Sequence, residues 1–570
     1  MYGTSLRGRD PLFTALRSVN RELGREARSP QIGGHVSIIL HDDGNRALWT
    51  NNVVSKYSKS ISERAPISMQ KAGLKFESIL RRPSIAIFVC FVVVSAAIAV
   101  DMNAITLSNE ADEGVYWQSL RAMSAGYHLY SQIFYSQPPL FLISIYPFYE
   151  LLGSTITSAR VGIATLSLLG LFGAYLMGRA FGGRAVGIAA VLLLMVTPIY
   201  LEQAHVLRAE GPSTGLMVLA VGAAFMWWEH PIGRSGTAYC ALSATALATA
   251  VLIKLLAITA IVPIVLLALA RMWQIRNETT ANIWGNLRPL GVATIIALFV
   301  TFAILAPYLH SLNSLMDQVV KFHLAAKKMM VSLESDNVQI LSRFFANHIV
   351  LSGAATVGVI VTIARRDWRI VPLLGWFLTT LVLLRIQVPL WSRHVIVLVP
   401  PMIAVVALGL NGFSTELMRR WLSWEQRATL LMGILACAVV LTELRYDYRH
   451  YRDLGRQKAD PVEHSMVELA GDLQKTTTRD QWIVTDAQYV AAMANRDVPP
   501  WLVDTSFTRV MSKYLTTQDL ENAASDPRVH TIVFATGHFT LAQVADFRPW
   551  VKEHFDLWRS YGNGIEVWTR

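Results

Sequence analysis

The chain has 570 residues, 53% of them hydrophobic and only 16% charged, with a mean hydropathy of +0.37. Soluble proteins carry charge on about a quarter of their residues, so a soluble globular class is excluded. The formal charge of +11 fits basic loops on the cytoplasmic side of a membrane better than a nucleic-acid surface, and Cys90, Cys240 and Cys437 all lie inside apolar runs, which excludes a disulfide framework or a cysteine metal site.

Residues 1–83 are polar, basic and weakly patterned, with no apolar h-region near the start. They predict a poorly ordered cytoplasmic segment rather than a signal peptide. Apolar runs long enough for a bilayer core of about 30 Å then recur. They predict eleven spans, at 84–100, 158–175, 185–200, 213–228, 237–253, 255–270, 290–308, 349–363, 370–384, 395–410 and 430–442. With the N-terminus inside, the inner connections hold Arg179 and Arg184, Arg234, then Arg271, Arg276 and Arg288, then Arg365, Arg366 and Arg369, then Arg419, Arg420 and Arg427. Every inner loop is basic, as orientation requires. An odd number of spans puts the C-terminus outside.

The outer connections carry the chemistry. The first holds Asp101, Glu110, Asp112 and Glu113 against Arg121. The second holds Glu202, His205, Arg208 and Glu210; the third is nearly absent, with Lys254 at its apex. The fourth holds Lys321, His323, Lys327 and Lys328, and the fifth Arg385, Arg393 and His394. Basic residues here run against the topological bias. They can snorkel at the interface or bind an anion. The tail, 443–570, has no membrane-length apolar run. Its β-like runs at 482–485 and 530–535 alternate with helical patterns at 462–474 and 517–524, which predicts a small α/β domain outside the membrane. Trp501, Trp550, Trp558 and Trp568 would serve its core or a glycan-facing surface.

Asp112 and Glu113 open the first outer loop. Such a pair can favour a helix N-terminus or act as a general base. Residues 115–123 follow as an interfacial helix, with Val115, Trp117, Leu120 and Met123 placed to lie on lipid. Pro138-Pro139 forbids a continuous helix, and 140–152 reads as a second interfacial helix.

Asp-Glu after the first span, Gly126 and Tyr130 as Gly-x-x-x-Tyr, and Pro-Pro-Leu leading into a second amphipathic helix together resemble the dolichyl-phosphate-mannose protein mannosyltransferase-like branch of the GT-C glycosyltransferases, a group that includes the aminoarabinose and galacturonic acid transferases of lipid A. Arg208-Ala209-Glu210, Lys254 at the end of an apolar helix, and Ser392–Pro401 (SRHVIVLVPP) fit the same pattern, and the resemblance covers about residues 84–410. Ser136-Gln137 ahead of Pro138 departs from relatives that carry a charged residue or His there. The resemblance implies a GT-C type α-helical polytopic membrane protein with an outer-face active site, a polyprenyl-phosphate sugar donor and inversion at the anomeric carbon.

The expected site follows from both readings. Asp112 or Glu113 takes the acceptor proton. Lys254, Arg208, Arg393 and Lys321 hold the donor phosphate as its charge grows. Glu210, Tyr116, Tyr130, Gln137 and His394 line the substrate site. No cluster has firm metal-ligand spacing, and no cofactor is expected; His205 with Glu210 is the one pair that could take a divalent cation. The expected partners are a polyprenyl-phosphate sugar, membrane lipid, and a protein, lipid A or polysaccharide acceptor, with no nucleic acid. The rival readings are a lipid-linked-glycan transporter, which would want mid-membrane charges and paired repeats, and a non-catalytic glycan-assembly protein.

Overall fold

The computed structural model describes residues 111–277, 283–411, 424–457 and 461–570, all within one unit, Pro83–Arg570. The span expected at 84–100 and the segment 1–83 lie outside the described residues. The chain is an α-helical multi-pass membrane protein with a small C-terminal sheet domain. The remaining expected spans all fall on helices: α1 is Ala111–Ser124, α2 Leu140–Leu151, α3 Ile156–Met195, α4 Glu210–Glu229, α5 Gly233–Ile253, α6 Ile261–Asn277, α7 Ile283–Leu305, α8 Ile349–Ala364, α9 Ile370–Ile386, α10 Val399–Gly409 and α11 Trp424–Gln457. Seven helical stretches among the described residues are long and apolar enough to cross a membrane.

The longest early stretch, α3, is not one rod. Gly182 and Gly183 leave the helical region, Gly183 with φ +84°, a conformation that glycine adopts freely. Gly178 then packs on Val186 and Gly187, and Gly187 on Tyr175. In a straight helix, twelve residues span about 18 Å. The chain therefore folds back at the glycine pair, giving the two antiparallel spans that the sequence predicts. Helix α4 runs through the middle of the bundle, buried from Glu210 to Trp227. Ile295, Leu298, Phe299 and Phe302 of α7 face outward, as lipid-facing residues do.

The two ends of this bundle differ. At one end Arg369 reaches the Ala180 carbonyl and Glu229, and Arg365 donates to the carbonyls of Gly409 and Asn411. The other end holds Glu210, Lys254 and Arg393. Glu210 and Glu229 close the same 20-residue helix, about 30 Å apart, which matches a bilayer core.

Helix α11 does not stop at Thr442. It runs on to Gln457 and leads towards the tail domain. There α12 (Pro461–Thr476), α13 (Gln488–Met493), α14 (Thr517–Ala524) and α15 (Phe547–His554) surround a mixed four-stranded sheet. β1 is Trp482–Thr485, β2 Val529–Phe534, β3 Asp556–Gly562 and β4 Ile565–Thr569, in the order β1-β2-β4-β3. β1 and β2 are parallel and the rest antiparallel. A parallel pair needs a crossover connection, and α13 and α14 lie in it. Thr516 caps α14 in a capping box with Asp519. Trp568 is buried and Trp550 packs against the core, while Trp501 and Trp558 are exposed.

The tail is not a detached domain. Tyr489, Ala491 and Val498 belong to the same core as the membrane helices. The backbone of Tyr489 lies so close to Gly114 that a Cβ there would overlap it. Trp117 meets Tyr489 edge-on, and Leu120 is fully buried. This corrects the expectation that Trp117 and Leu120 lie on lipid: a protein helix covers that face instead. An amphipathic pattern records an apolar stripe, not what covers it.

Candidate active site

The first turn of helix α1 presents Asp112 and Glu113. Adjacent helical residues point about 100° apart, so the two carboxylates part company. Glu113 turns inward. It meets Arg160 of α3 in a two-pronged pair, Nε–Oε1 3.0 Å and Nη2–Oε2 2.5 Å, and accepts from the Leu207 N–H at 2.6 Å. Its oxygens are engaged in holding α1 to the bundle.

Asp112 turns the other way, into a cluster drawn from four chain segments. Arg393 Nη2 lies 2.6 Å from Asp112 Oδ2, and Arg208 Nε 3.9 Å from the same oxygen. Glu210, at the start of α4, is buried and faces three donors through Oε1: Lys254 Nζ at 2.7 Å, Arg393 Nε at 3.3 Å and His394 Nε2 at 3.7 Å. Arg208 also approaches Glu202 at 4.0 Å. The break after α5 sets Lys254 in place: its backbone is extended, between α5 and the 3₁₀ turn Leu255–Ala260. Its N–H still donates to the Ala250 carbonyl, but the extended backbone interrupts two apolar segments that would otherwise be continuous.

Three carboxylates, Asp112, Glu202 and Glu210, thus interleave with Arg208, Lys254 and Arg393. The pairs orient the cations without exhausting them, because an ammonium has three N–H donors and a guanidinium five. Asp112 keeps 26% of its side chain exposed, so another group can reach it. Burial pushes its carboxyl above the usual range; Arg393 and Lys254 oppose this, while Glu210 and Asp504 add to it. Tyr116 lies in the same field, its phenol held well above its usual value by burial and then by Asp112 and Glu210.

Other expected site residues have partners of their own. Lys321 is exposed, 3.8 Å from Asp317 on its own turn. Tyr130 sits at φ +66° and closes the loop locally, its N–H donating to the Ile133 carbonyl and its hydroxyl to the Gln137 carbonyl at 2.8 Å. The Gln137 backbone is thus part of that turn. His205 is held neutral, burial and Arg160 bringing it down to about 3. Among the described residues no three His, Cys, Asp or Glu side chains gather as a metal site would require.

Sequence reasoning missed two contributors. Asp504 of the tail is near enough to act on Asp112, Tyr116 and His323. The tail segment around it is clamped to the connection between α1 and α2 by Arg509, whose guanidinium stacks 3.7 Å over Phe134 and donates to the carbonyls of Trp501, Asp504 and Tyr514. Gln387 contacts His394 Nδ1 at 3.0 Å. Asp504 carries no sequence signal because it acts across a long chain separation, whereas Gln387 lies seven residues before His394 and meets it through the non-helical segment between α9 and the 3₁₀ turn Ser392–Leu398.

No family model matches the chain, and no curated protein sequence does. Solved structures do. ArnT from Cupriavidus metallidurans bound to undecaprenyl phosphate aligns with 85% of this chain and 97% of its own, with a TM-score of 0.59 at 15% identity. Its apo form aligns over the same shares with a TM-score of 0.54 at 14% identity. The Archaeoglobus fulgidus oligosaccharyltransferase in complex with Zn and sulfate aligns with 78% of this chain and 67% of its own, at 13% identity and a TM-score of 0.42. The likeness to ArnT is one of fold, along nearly its whole length: this chain has the GT-C fold.

Proposed function

We propose that this GT-C protein transfers a sugar from a polyprenyl-phosphate donor to an acceptor on the outer face of the cytoplasmic membrane. The observation that carries the reading is the convergence of Asp112 with Arg208, Arg393 and Lys254 around buried Glu210, at the bundle end opposite the arginine-rich one. Basic residues mark the cytoplasmic side, so the cluster lies outside, at the depth of a lipid phosphate. The likeness to an ArnT that binds undecaprenyl phosphate supports the same donor class.

The chemistry is one displacement. The acceptor oxygen attacks the anomeric carbon from the face opposite the phosphate, and its proton passes to Asp112. The bond between that carbon and the phosphate oxygen breaks, and its electron pair stays on the phosphate. Arg393 and Lys254 stabilise the added charge, with Arg208 beside them. The anomeric carbon inverts because attack and departure lie on opposite faces. Glu210 holds Lys254 and Arg393 in position, and Glu113 anchors α1, so that Asp112 alone of the acid pair acts as base. No metal is required by these steps.

The test is sugar transfer by the purified full chain in lipid nanodiscs, with sugar-loaded undecaprenyl phosphate as donor and products read by mass spectrometry. Asp112→Asn should lower turnover by about 10²–10⁴-fold while donor binding persists. A protein that moves the lipid-linked sugar across vesicles without cleaving it would be a transporter instead.

A further inference from the structure

His394 is one of three donors around Glu210, and the groups behind it decide its protonation. Its Nδ1 faces the Gln387 side-chain amide at 3.0 Å and the Trp391 backbone N–H at 3.4 Å. A backbone N–H can only donate, so Nδ1 serves as acceptor, and the amide that meets the same nitrogen is Gln387 Nε2–H. An imidazolium would carry a proton on Nδ1 aimed at two donors. A neutral ring with Nδ1 as acceptor has its proton on Nε2, the atom that faces Glu210 Oε1 at 3.7 Å.

Gln387 is itself fixed. It follows α9, and Asn337, fully buried, donates from Nδ2 to the Gln387 carbonyl at 2.7 Å and to the Arg385 carbonyl at 3.0 Å. The charged and titratable groups facing His394 are Glu210 from α4, Lys254 from the break after α5, Arg393 beside it and His323 from the helix Phe322–Met329. The two cations oppose a positive ring, and Glu210 is already shared with both of them.

We propose that Gln387 is a positioning residue for the anion site: with the Trp391 N–H it holds His394 as the neutral imidazole protonated on Nε2, so that His394 offers an uncharged donor beside Lys254 and Arg393, and grip on a phosphate does not follow histidine titration. The second half rests on the carrier-phosphate reading above; the first half does not. The arrangement keeps the cation count at the site constant across the range in which an ordinary histidine would change it.

The test uses the full chain in nanodiscs, with ¹⁵N-labelled histidine and His394 assigned by its loss in His394→Gln. From about pH 5.5 to about pH 8 the His394 nitrogens should keep the pattern of the neutral ring with the proton on Nε2. Gln387→Glu, which places an acceptor at Nδ1, should convert the ring to imidazolium, and Gln387→Met should let the tautomer or protonation change. Undecaprenyl phosphate titration adds the second readout. His394→Gln cannot titrate there, so the ratio of wild-type affinity to its affinity cancels titration of the phosphate itself, and that ratio should stay constant with pH within about threefold. An imidazolium at about pH 6 in the wild type, a proton on Nδ1, an unchanged signal in both Gln387 variants, or an affinity ratio growing about tenfold on acidification would each overturn the proposal. If the wild type binds no undecaprenyl phosphate at any pH, the carrier-phosphate reading and the second half fall together, and the nitrogen signals still decide the first half.

Discussion

Asp112 and Glu113 are chemically near-identical neighbours, and one helical step gives them opposite surroundings. Glu113 is buried with both oxygens paired to Arg160. Removing one partner of such a pair strands the other charge, which costs about 3–5 kcal/mol. Glu113→Gln should therefore lower thermal stability and yield, and Glu113→Gln with Arg160→Met should recover part of it, as read by thermal melts in detergent. Asp112→Asn should leave the melt unchanged and remove turnover. The acid limb of kcat/KM reports the base. The Asp112 carboxyl must be ionised to accept a proton, and its value lies above the usual range. Activity should thus fall, as pH drops, at a higher pH than an ordinary aspartate near about 3.9 would give. Arg393 lowers the value and Asp504 raises it, so Arg393→Gln should move the limb to higher pH and Asp504→Asn to lower pH. Opposite shifts would remove Asp112 as the titrating group.

At the scale of elements, the break after α5 and the contact between α1 and α13 carry the site. Lys254 reaches Glu210 because α5 ends at Ile253 and the chain turns extended for one residue. Lys254→Ala should lower kcat/KM for the lipid donor by about 10²–10³-fold and leave the acceptor KM nearly unchanged, with Lys254→Arg restoring part, since charge persists while geometry changes. Kinetics with each substrate varied in turn would show it; an effect confined to the acceptor KM would place Lys254 on the acceptor side. Gly114 allows α1 to touch the Tyr489 backbone. Gly114→Ala should push α13 away, expose the tail to protease and reduce transfer, with limited proteolysis as the readout.

At the scale of the molecule, the tail and the site share one end of the bundle. Arg121 pairs with Asp497 at 2.6 Å, Gln118 donates to the Arg496 carbonyl, and Arg509 stacks on Phe134. The positive-inside rule expects the arginines of the opposite end to face the cytoplasm. Alkaline phosphatase fused after Arg570 should consequently be active, and green fluorescent protein dark; the reverse would invert the orientation of both tail and site. Much of this architecture is already legible in the sequence. The apolar runs, the basic connections, the break between the spans at 158–175 and 185–200, strand β1 and helix α14 are set by local pattern, because span length and strand alternation depend on near neighbours. So is the set of misplaced charges, since Arg208, Lys254 and Arg393 violate a rule that reads off the chain alone. Local pattern could not assign partners. That Glu113 belongs to Arg160 and Asp112 to Arg393, and that the tail covers Trp117 and contributes Asp504, were decided only when segments up to hundreds of residues apart met, while Gln387 meets His394 over seven residues through the direction of two side chains. Each of those outcomes depends on burial and on the direction of a side chain, and neither quantity exists until the chain has packed.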